Sequence, residues 1–164
     1  MPAIRLINLD DVTIDLVLAD TATFEKHNGV TSGNARVEVV DTAKQFRQYW
    51  GYTGENGRWA GYLNVDSETG QIVGNGGFKG PPIDGTVEIG YSTFSGFEGK
   101  GYASALAAVL VDLARESGKV KQIIAHTLPE EGPSPRILRK TGLIMVGAFQ
   151  DPIDGPVWRF SLTL

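Results

Sequence analysis

Short runs of apolar residues that alternate with polar ones recur along the chain, and this period-two pattern predicts strands. The runs at residues 4–7 and 12–19 predict one or two strands near the beginning of the chain. Later runs flank an Asp66–Gly70 turn, which predicts a hairpin. The later predicted strands cover residues 59–65, 71–79, 85–93, 122–127, 143–149 and 157–162, and the last two are expected to be antiparallel.

Apolar residues at helical spacing, together with residues that favour helix ends, predict helices between these strands. The expected N-caps are Asp20 or Thr21, Asp41 and Ser134. Residues 29–40 favour neither helix nor strand. The predicted helices cover residues 20–28, from Asp41 to Tyr49 or Trp50, from near Gly99 to Glu116, and from Ser134 to Gly142.

This order of elements predicts an α/β fold with a mixed sheet, also describable as α+β. The 164 residues fit one domain of ordinary size, so a single domain over residues 1–164 is expected. Hydrophobic residues make up 41% of the chain and charged residues 21%, which is the balance of a soluble globular protein.

Charge and composition exclude several classes of function. The net charge of −4 argues against broad nucleic-acid binding, which needs a basic face. The chain has no cysteine, which excludes disulfides and thiol catalysis, and with only His27 and His126 no metal site is expected. No apolar run reaches the length of a membrane span and no signal-peptide pattern is present, so a cytoplasmic location is expected, without a membrane partner.

The stretch from Thr86 to Ser104 carries the clearest candidate chemistry. It predicts a strand, then a glycine-rich turn, then the N-terminus of a long helix, so that backbone N–H groups point at one spot suited to a phosphate. The glycines at positions 96, 99 and 101 match neither the phosphate loop of nucleotide hydrolases nor the dinucleotide fingerprint. The expected ligand therefore carries a phosphate or pyrophosphate and binds in another way.

Three motifs carry a resemblance to a known family. They are Glu-Ile-Gly-Tyr at residues 88–91, Gly-Lys-Gly-Tyr-Ala-Ser at residues 99–104 and Leu-Pro-Glu at residues 128–130. With them, the chain resembles the GCN5-related N-acetyltransferases (GNAT), and most closely the branch that acetylates the N-termini of ribosomal proteins. The resemblance implies one N-acetyltransferase domain with a central, mostly antiparallel mixed sheet flanked by helices, and acetyl-coenzyme A as co-substrate without a metal.

The resemblance also implies where the coenzyme lies. Backbone amides from Glu98 to Ala103 are expected to hold its pyrophosphate, with Lys100 as a cationic contact. The backbone of the strand before this loop is expected to pair with the pantetheine arm, and the Ile89 N–H to polarise the thioester carbonyl. The expected coenzyme-binding residues are Ile89, Tyr91, Glu98, Gly99, Lys100, Gly101, Tyr102, Ala103, Ser104, Glu131 and Ser134.

Acyl transfer to an amine needs a proton acceptor for the ammonium and stabilisation of the departing thiolate. Glu88, beside the expected thioester, is the candidate base. Many family members place a tyrosine acid where this chain has Leu138, so Ser134 is the nearest hydroxyl candidate. The chain also departs from the family pattern at Glu98 and Glu131.

The predicted function is acetyl transfer from acetyl-coenzyme A to a primary amine by direct attack in a ternary complex. One alternative is a coenzyme-A-binding sensor or decayed enzyme without transfer; another is an acyl- or phosphate-ligand protein outside this family. The acceptor is a peptide N-terminus, a polyamine or another small amine, and the overall acidity favours a cationic one. Edge strands near the C-terminus leave a monomer and a homodimer both open.

Overall fold

A seven-stranded sheet organises the fold, in the order β1-β2-β3-β4-β5-β7-β6. The computed structural model describes residues 1–50 and 57–164, apart from the side chains of Tyr49 and Trp50. The strands are β1 (Ile4–Asn8), β2 (Gly61–Asp66), β3 (Ile72–Phe78), β4 (Thr86–Thr93), β5 (Gln122–Thr127), β6 (Ile144–Asp151) and β7 (Gly155–Thr163). The helices are α1 (Asp11–Ala19), α2 (Thr21–Asn28), α3 (Arg36–Trp50), α4 (Tyr102–Glu116) and α5 (Pro133–Lys140).

The sheet is mixed and mostly antiparallel, as predicted. Strands β4 and β5 pair in parallel, while the other neighbouring pairs are antiparallel. Helix α4 connects the two parallel strands, because a parallel crossover needs a long connection. The β2–β3 hairpin is confirmed, and Asp66 stabilises its turn by accepting hydrogen bonds from the backbone N–H groups of Glu68 and Thr69.

Helices cover the two faces of the sheet and enclose two hydrophobic clusters. Ile89 of β4 packs with Leu106 of α4 and Leu138 of α5 in one cluster. The other cluster contains residues from α1, α2 and α3 together with Leu63 of β2. Tyr62, the neighbour of Leu63, belongs to the first cluster, so the two clusters lie on opposite faces of the strands. We call these the α4–α5 face and the α3 face.

The predicted strand over residues 12–19 is wrong, since this segment forms helix α1. The apolar residues at positions 12, 14, 16 and 18 alternate with other residues, which imitates a strand. Asp10, however, caps a helix by accepting a hydrogen bond from the Thr13 N–H at 2.8 Å. Ile14 and Val17, three residues apart, then become the buried face.

Two predicted N-caps are also wrong. Helix α3 begins at Arg36, so Asp41 lies inside it and the ambiguous segment contributes its first residues. Helix α5 begins at Pro133 with Gly132 at the N-cap, so Ser134 is the second residue of the helix. Proline is favoured in the first turn because its missing N–H has no helical partner there. The Asp20 cap of α2 is confirmed.

Candidate active site

A gap opens between the parallel strands β4 and β5. Within the described strands, their ladder covers Thr86 to Glu88 and ends at the pair Glu88 and Ile124. The Glu88 carbonyl accepts a hydrogen bond from the Lys79 N–H at 2.9 Å, so Glu88 points its backbone groups toward β3. Because backbone direction alternates along a strand, Ile89 and Tyr91 point their N–H and C=O groups into the gap. An extended chain can pair with this edge.

The loop after β4 presents the N-terminus of α4 to the end of this gap. Gly96, Gly99 and Gly101 have φ angles of +89°, +76° and +88°, a conformation that favours glycine. Gly101 is the N-cap residue of α4 and offers no side chain to bond the N–H groups of the first turn. The helix dipole and these N–H groups together favour a phosphate at this position.

Side chains hold this loop and helix in place. The Tyr102 hydroxyl donates to Oδ2 of Asp66 at 2.5 Å, and the Asn64 side chain donates to the Tyr102 carbonyl at 3.3 Å. The bond to the Asp66 carboxylate raises the pKa of Tyr102 to about 12 and holds the pKa of Asp66 below its ordinary value. Glu98 accepts a hydrogen bond from the Gly96 N–H at 2.9 Å. Glu98, where this chain differs from the family pattern, thus stabilises the loop by a hydrogen bond inside it.

A cationic cleft of about 490 Å³ lies beside the N-terminus of α4. Lys100 and Lys140 bring positive charge to it, one from the loop and one from the end of α5. Two positive charges next to an uncapped helix N-terminus suit a ligand with several phosphates. The cleft is lined by Met1, Lys100, Gly101, Ser104, Ala108, Lys140 and Thr141.

A second cleft, of about 740 Å³, lies on the α3 face of the sheet. Its lining is mainly aromatic, amide and glycine residues, and Lys79 is the one charged side chain among the described lining residues. The cleft is lined by Gln45, Phe46, Gln48, Asn75, Gly76, Gly77, Lys79, Gly90, Tyr91 and Ser92. We call it the α3 cleft.

Glu88 contacts a lysine of the α3 cleft and belongs to a series of polar contacts between residues of neighbouring strands. Its Oε1 lies 2.9 Å from Nζ of Lys79 and 2.8 Å from Nδ1 of His126. Arg159 Nε lies 2.9 Å from Nε2 of His126. The Glu88 side chain is 23% exposed. Both contacts fall on Oε1, and among the described residues Oε2 has no hydrogen-bond donor.

Tyr91 and Ser134 meet across the gap on the other face of β4. The Tyr91 hydroxyl lies 3.3 Å from Oγ of Ser134 and 3.4 Å from its carbonyl oxygen. Burial raises the pKa of the Tyr91 hydroxyl above its ordinary value, which keeps it protonated at neutral pH. Leu138, one turn further along α5, is buried in the core.

Glu131 lies just before α5 and is bound by a residue near the end of that helix. Two guanidinium nitrogens of Arg139 donate to its carboxylate at 2.8 and 2.9 Å. This bidentate bond lowers the pKa of Glu131. The carboxylate thereby has a charged partner near the C-terminal end of α5.

Comparison with known proteins identifies the family. Residues 4–144 match the acetyltransferase (GNAT) domain family. The chain belongs to the GNAT family. Its members are N-acetyltransferases that use acetyl-coenzyme A.

Individual relatives agree with this assignment. The uncharacterized N-acetyltransferase YjdG of Bacillus subtilis is 27% identical over 141 residues, covering 81% of this chain and 84% of the relative. A GNAT-family acetyltransferase from Bacillus anthracis superposes with a TM-score of 0.66 at 17% identity, over 99% of this chain and 96% of the other. A putative ribosomal-protein-serine acetyltransferase from Vibrio cholerae gives a TM-score of 0.69 at 14% identity, over 98% and 94%. The GNAT fold expected from the sequence is therefore confirmed.

In this GNAT domain the site residues that were predicted from the sequence lie in two places. Residues 98–104, with Ile89, Tyr91 and Ser134, surround the gap between β4 and β5 and the N-terminus of α4. Glu88 lies on the opposite side of β4, against Lys79 of the α3 cleft. The candidate base and the candidate phosphate site are thus separated by one strand.

Sequence reasoning missed four residues that surround these sites. Lys79, His126 and Arg159 contact Glu88 directly or through one another, and Lys140 lines the cationic cleft. The signal available for Lys79 was its position at the end of the strand next to Glu88. The other three come close to the site only through the pairing of distant strands and the packing of α5.

Metal sites and membrane-spanning helices are both absent from residues 1–50 and 57–164. These residues contain no group of three or more carboxylates and histidines arranged to hold a metal ion. Their helices are also too short or too polar to span a membrane.

Proposed function

We propose that this chain transfers an acetyl group from acetyl-coenzyme A to a primary amine by direct attack within a ternary complex. We further propose that residues 1–164 act as one N-acetyltransferase domain and that it works in the cytoplasm. The observation that carries the proposal is the free edge of β4, which leads from Glu88 to the uncapped N-terminus of α4. A donor thioester and an acceptor amine would meet across this strand.

The coenzyme would occupy the gap and the cationic cleft. Backbone N–H groups of Glu98 to Ala103 would bind the pyrophosphate, and Lys100 and Lys140 would contact its phosphates. The pantetheine arm would pair with the backbone of Ile89 and Tyr91, as an added strand does. The Ile89 N–H would then donate to the thioester carbonyl oxygen, where negative charge develops during attack.

Glu88 would serve as the base. Lys79 and His126 hold its Oε1, which leaves Oε2 to accept a proton from the incoming ammonium, directly or through a water. The neutral amine attacks the thioester carbonyl carbon, a C–N bond forms, the C–S bond breaks, and the nitrogen gives its remaining extra proton to water. The sulfur leaves with the electron pair and is protonated by the Tyr91–Ser134 hydroxyl pair or by water.

The acceptor would be a peptide N-terminus or a small-molecule amine. Fold neighbours include an aminoglycoside acetyltransferase bound to coenzyme A and a spermidine N-acetyltransferase chimera. They also include a ribosomal-protein-S5-alanine acetyltransferase from Vibrio fischeri. Together with the Glu-Ile-Gly-Tyr motif, this last neighbour supports a place for the chain in the ribosomal-protein branch.

A second candidate function is coenzyme A binding without transfer. Leu138 stands where many members carry an acid, and the Glu131 carboxylate is bound by Arg139. A sensor of this kind would bind the coenzyme and release no thiol with any amine.

The test is a calorimetric titration with acetyl-coenzyme A, beside desulfo-coenzyme A and ATP, followed by a thiol-release assay over a panel of amines. The proposal expects micromolar binding that is selective for the coenzyme A scaffold, and amine-dependent thiol release. Selective binding without release from any amine would favour the sensor. Equal binding of ATP and coenzyme A would contradict both functions.

A further inference from the structure

Among the described residues, the charged side chains linked to Glu88 and Lys79 include two of each sign. Lys79 and Arg159 are positive, and Glu88 and Asp151 are negative. The backbone N–H groups of Asp154 and Ile153 hold the pKa of Asp151 below its ordinary value, and the charge of Lys79 makes a smaller contribution in the same direction. These four charges cancel. Among the described residues, the surroundings of Lys79 and Glu88 therefore carry no excess of negative charge, although the whole chain has a net charge of −4.

A balanced site does not suit a polycation. Spermidine or an aminoglycoside brings several ammonium groups, and each needs a carboxylate to replace its hydration. The described residues that line the cleft supply amide, aromatic and backbone groups and one cation. A second ammonium would therefore lie near Lys79 and be repelled.

The pair formed by Lys79 and Glu88 favours a ligand that carries both charges over a polycation. A cation and an anion side by side, 2.9 Å apart, complement a ligand that also carries an anion and a cation side by side. In an α-amino acid the ammonium and the carboxylate are separated by a single carbon. The ammonium can face Oε2 of Glu88 while the carboxylate faces Nζ of Lys79.

The floor of the cleft leaves space for such a ligand. A Cβ placed on Gly90 would have one neighbour within 4 Å, Cε of Lys79 at 3.8 Å, so the surface above this residue is open. Gly90 lies between Glu88 and Ser92 on the same face of β4. Phe46 of α3 also lines the cleft and offers aromatic surface to an apolar side chain of the ligand.

We propose that the acceptor is a zwitterion, an α-amino acid or a close analogue with a carboxylate next to the reacting amine. The inference rests on the proposed acetyl transfer and names the substrate class of that same site. Lys79 is the residue that selects it, through the carboxylate of the acceptor. The polyamine expected from the overall acidity is disfavoured by this arrangement.

The test compares amines that differ in the carboxylate. Thiol release from acetyl-coenzyme A is measured with phenylalanine, phenylalaninamide, phenethylamine and spermidine, for the unchanged protein, for Lys79→Gln and for Lys119→Gln, an exposed lysine beyond the far end of α4. Lys79 also contacts Glu88, so the readout is the ratio of kcat/KM for phenylalanine to that for phenethylamine. A charged hydrogen bond predicts a ratio of about ten or more, lost in Lys79→Gln and kept in Lys119→Gln.

The results distinguish the zwitterionic acceptor from acetyl transfer itself. A ratio near one in the unchanged protein, a ratio that survives Lys79→Gln, or a preference for spermidine would overturn the zwitterion while acetyl transfer stands. Coenzyme binding without thiol release from any of the four amines would overturn the zwitterion, and only the absence of release across the wider amine panel would contradict acetyl transfer itself.

Discussion

Arg159 donates a hydrogen bond from Nε to Nε2 of His126 at 2.9 Å, and this contact fixes the state of the histidine. A guanidinium can only donate, so Nε2 must be the unprotonated nitrogen that accepts. Nδ1 then carries the proton and donates to Oε1 of Glu88 at 2.8 Å. The histidine is therefore a neutral bridge that orients the carboxylate, much as outer residues orient the ligands of a metal site.

Replacing His126 with Leu should disturb Glu88 without touching the coenzyme site. We expect kcat to fall about tenfold, since one charged hydrogen bond to the base is lost, while the Kd for acetyl-coenzyme A stays the same. His126→Gln, which can still donate to Glu88, should recover part of the loss. Equal kcat for the Leu and Gln variants would show that the donor at this position has no role in turnover.

The contact between Tyr102 and Asp66 should appear in the pH dependence of stability. Tyr102→Phe keeps the ring against Phe97 and removes the hydroxyl that bonds the carboxylate, so we expect a loss of about 1.5 kcal/mol at neutral pH. Denaturant unfolding of both proteins measures it.

The direction of the pH effect follows from the two pKa shifts. The pKa of Asp66 is lower in the folded state than in the unfolded state. The carboxylate therefore contributes stability at pH values above its unfolded pKa, and this stability is lost as the pH falls through its folded pKa. The pKa of Tyr102 is raised from 10.0 to about 12, so the stability of the folded protein falls as the pH rises from 10.0 to about 12. The difference between the two proteins should therefore shrink in acid, and a constant difference would contradict the assignment.

Gly101 tests the approach of the coenzyme to the backbone. Gly101→Val places a Cβ 3.1 Å from Cδ of Pro2 and strains a residue with a φ of +88° at the start of α4. We expect at least about tenfold weaker binding of acetyl-coenzyme A by calorimetry. Gly118→Val is the matched control, because Gly118 follows the other end of the same helix with a φ of +68°. If both variants bind equally well, the pyrophosphate is not held at Gly101.

Gly90 tests the acceptor side separately. The position has open space on the cleft side, so Gly90→Ala should fold normally. Gly90→Leu should fill the space beside Glu88 and raise the KM for the amine, while the Kd for the coenzyme is unchanged. Kinetics with the amine varied at saturating acetyl-coenzyme A measures this. An unaltered KM in the Leu variant would place the acceptor elsewhere.

The sequence predicted the elements whose signals are local. The strand, glycine turn and helix from Thr86 to Glu116 are contiguous, so their order and the position of Gly101 could be recognised without a structure. Helix α1 could not, because its residues alternate like a strand and its helical form depends on the Asp10 cap and on packing of Ile14 and Val17. In this segment tertiary packing outweighs the alternation.

The surroundings of Glu88 depended on information that a single sequence does not contain. Lys79, His126 and Arg159 follow β3 or lie on β5 and β7, and they meet because these strands are neighbours of one another or of β4 in the sheet. The position of β7 next to β5 is not given by chain order. The candidate base could thus be chosen from its strand, but the residues that hold it could not.

The most direct test of acetyl transfer through Glu88 is the replacement Glu88→Gln, with kcat and the Kd for acetyl-coenzyme A measured on the same preparation. Glutamine keeps the size of the side chain and cannot accept the ammonium proton as a carboxylate does. We expect kcat to fall by about a hundredfold or more while the Kd stays within about twofold. An unchanged kcat, with the coenzyme still bound, would contradict it.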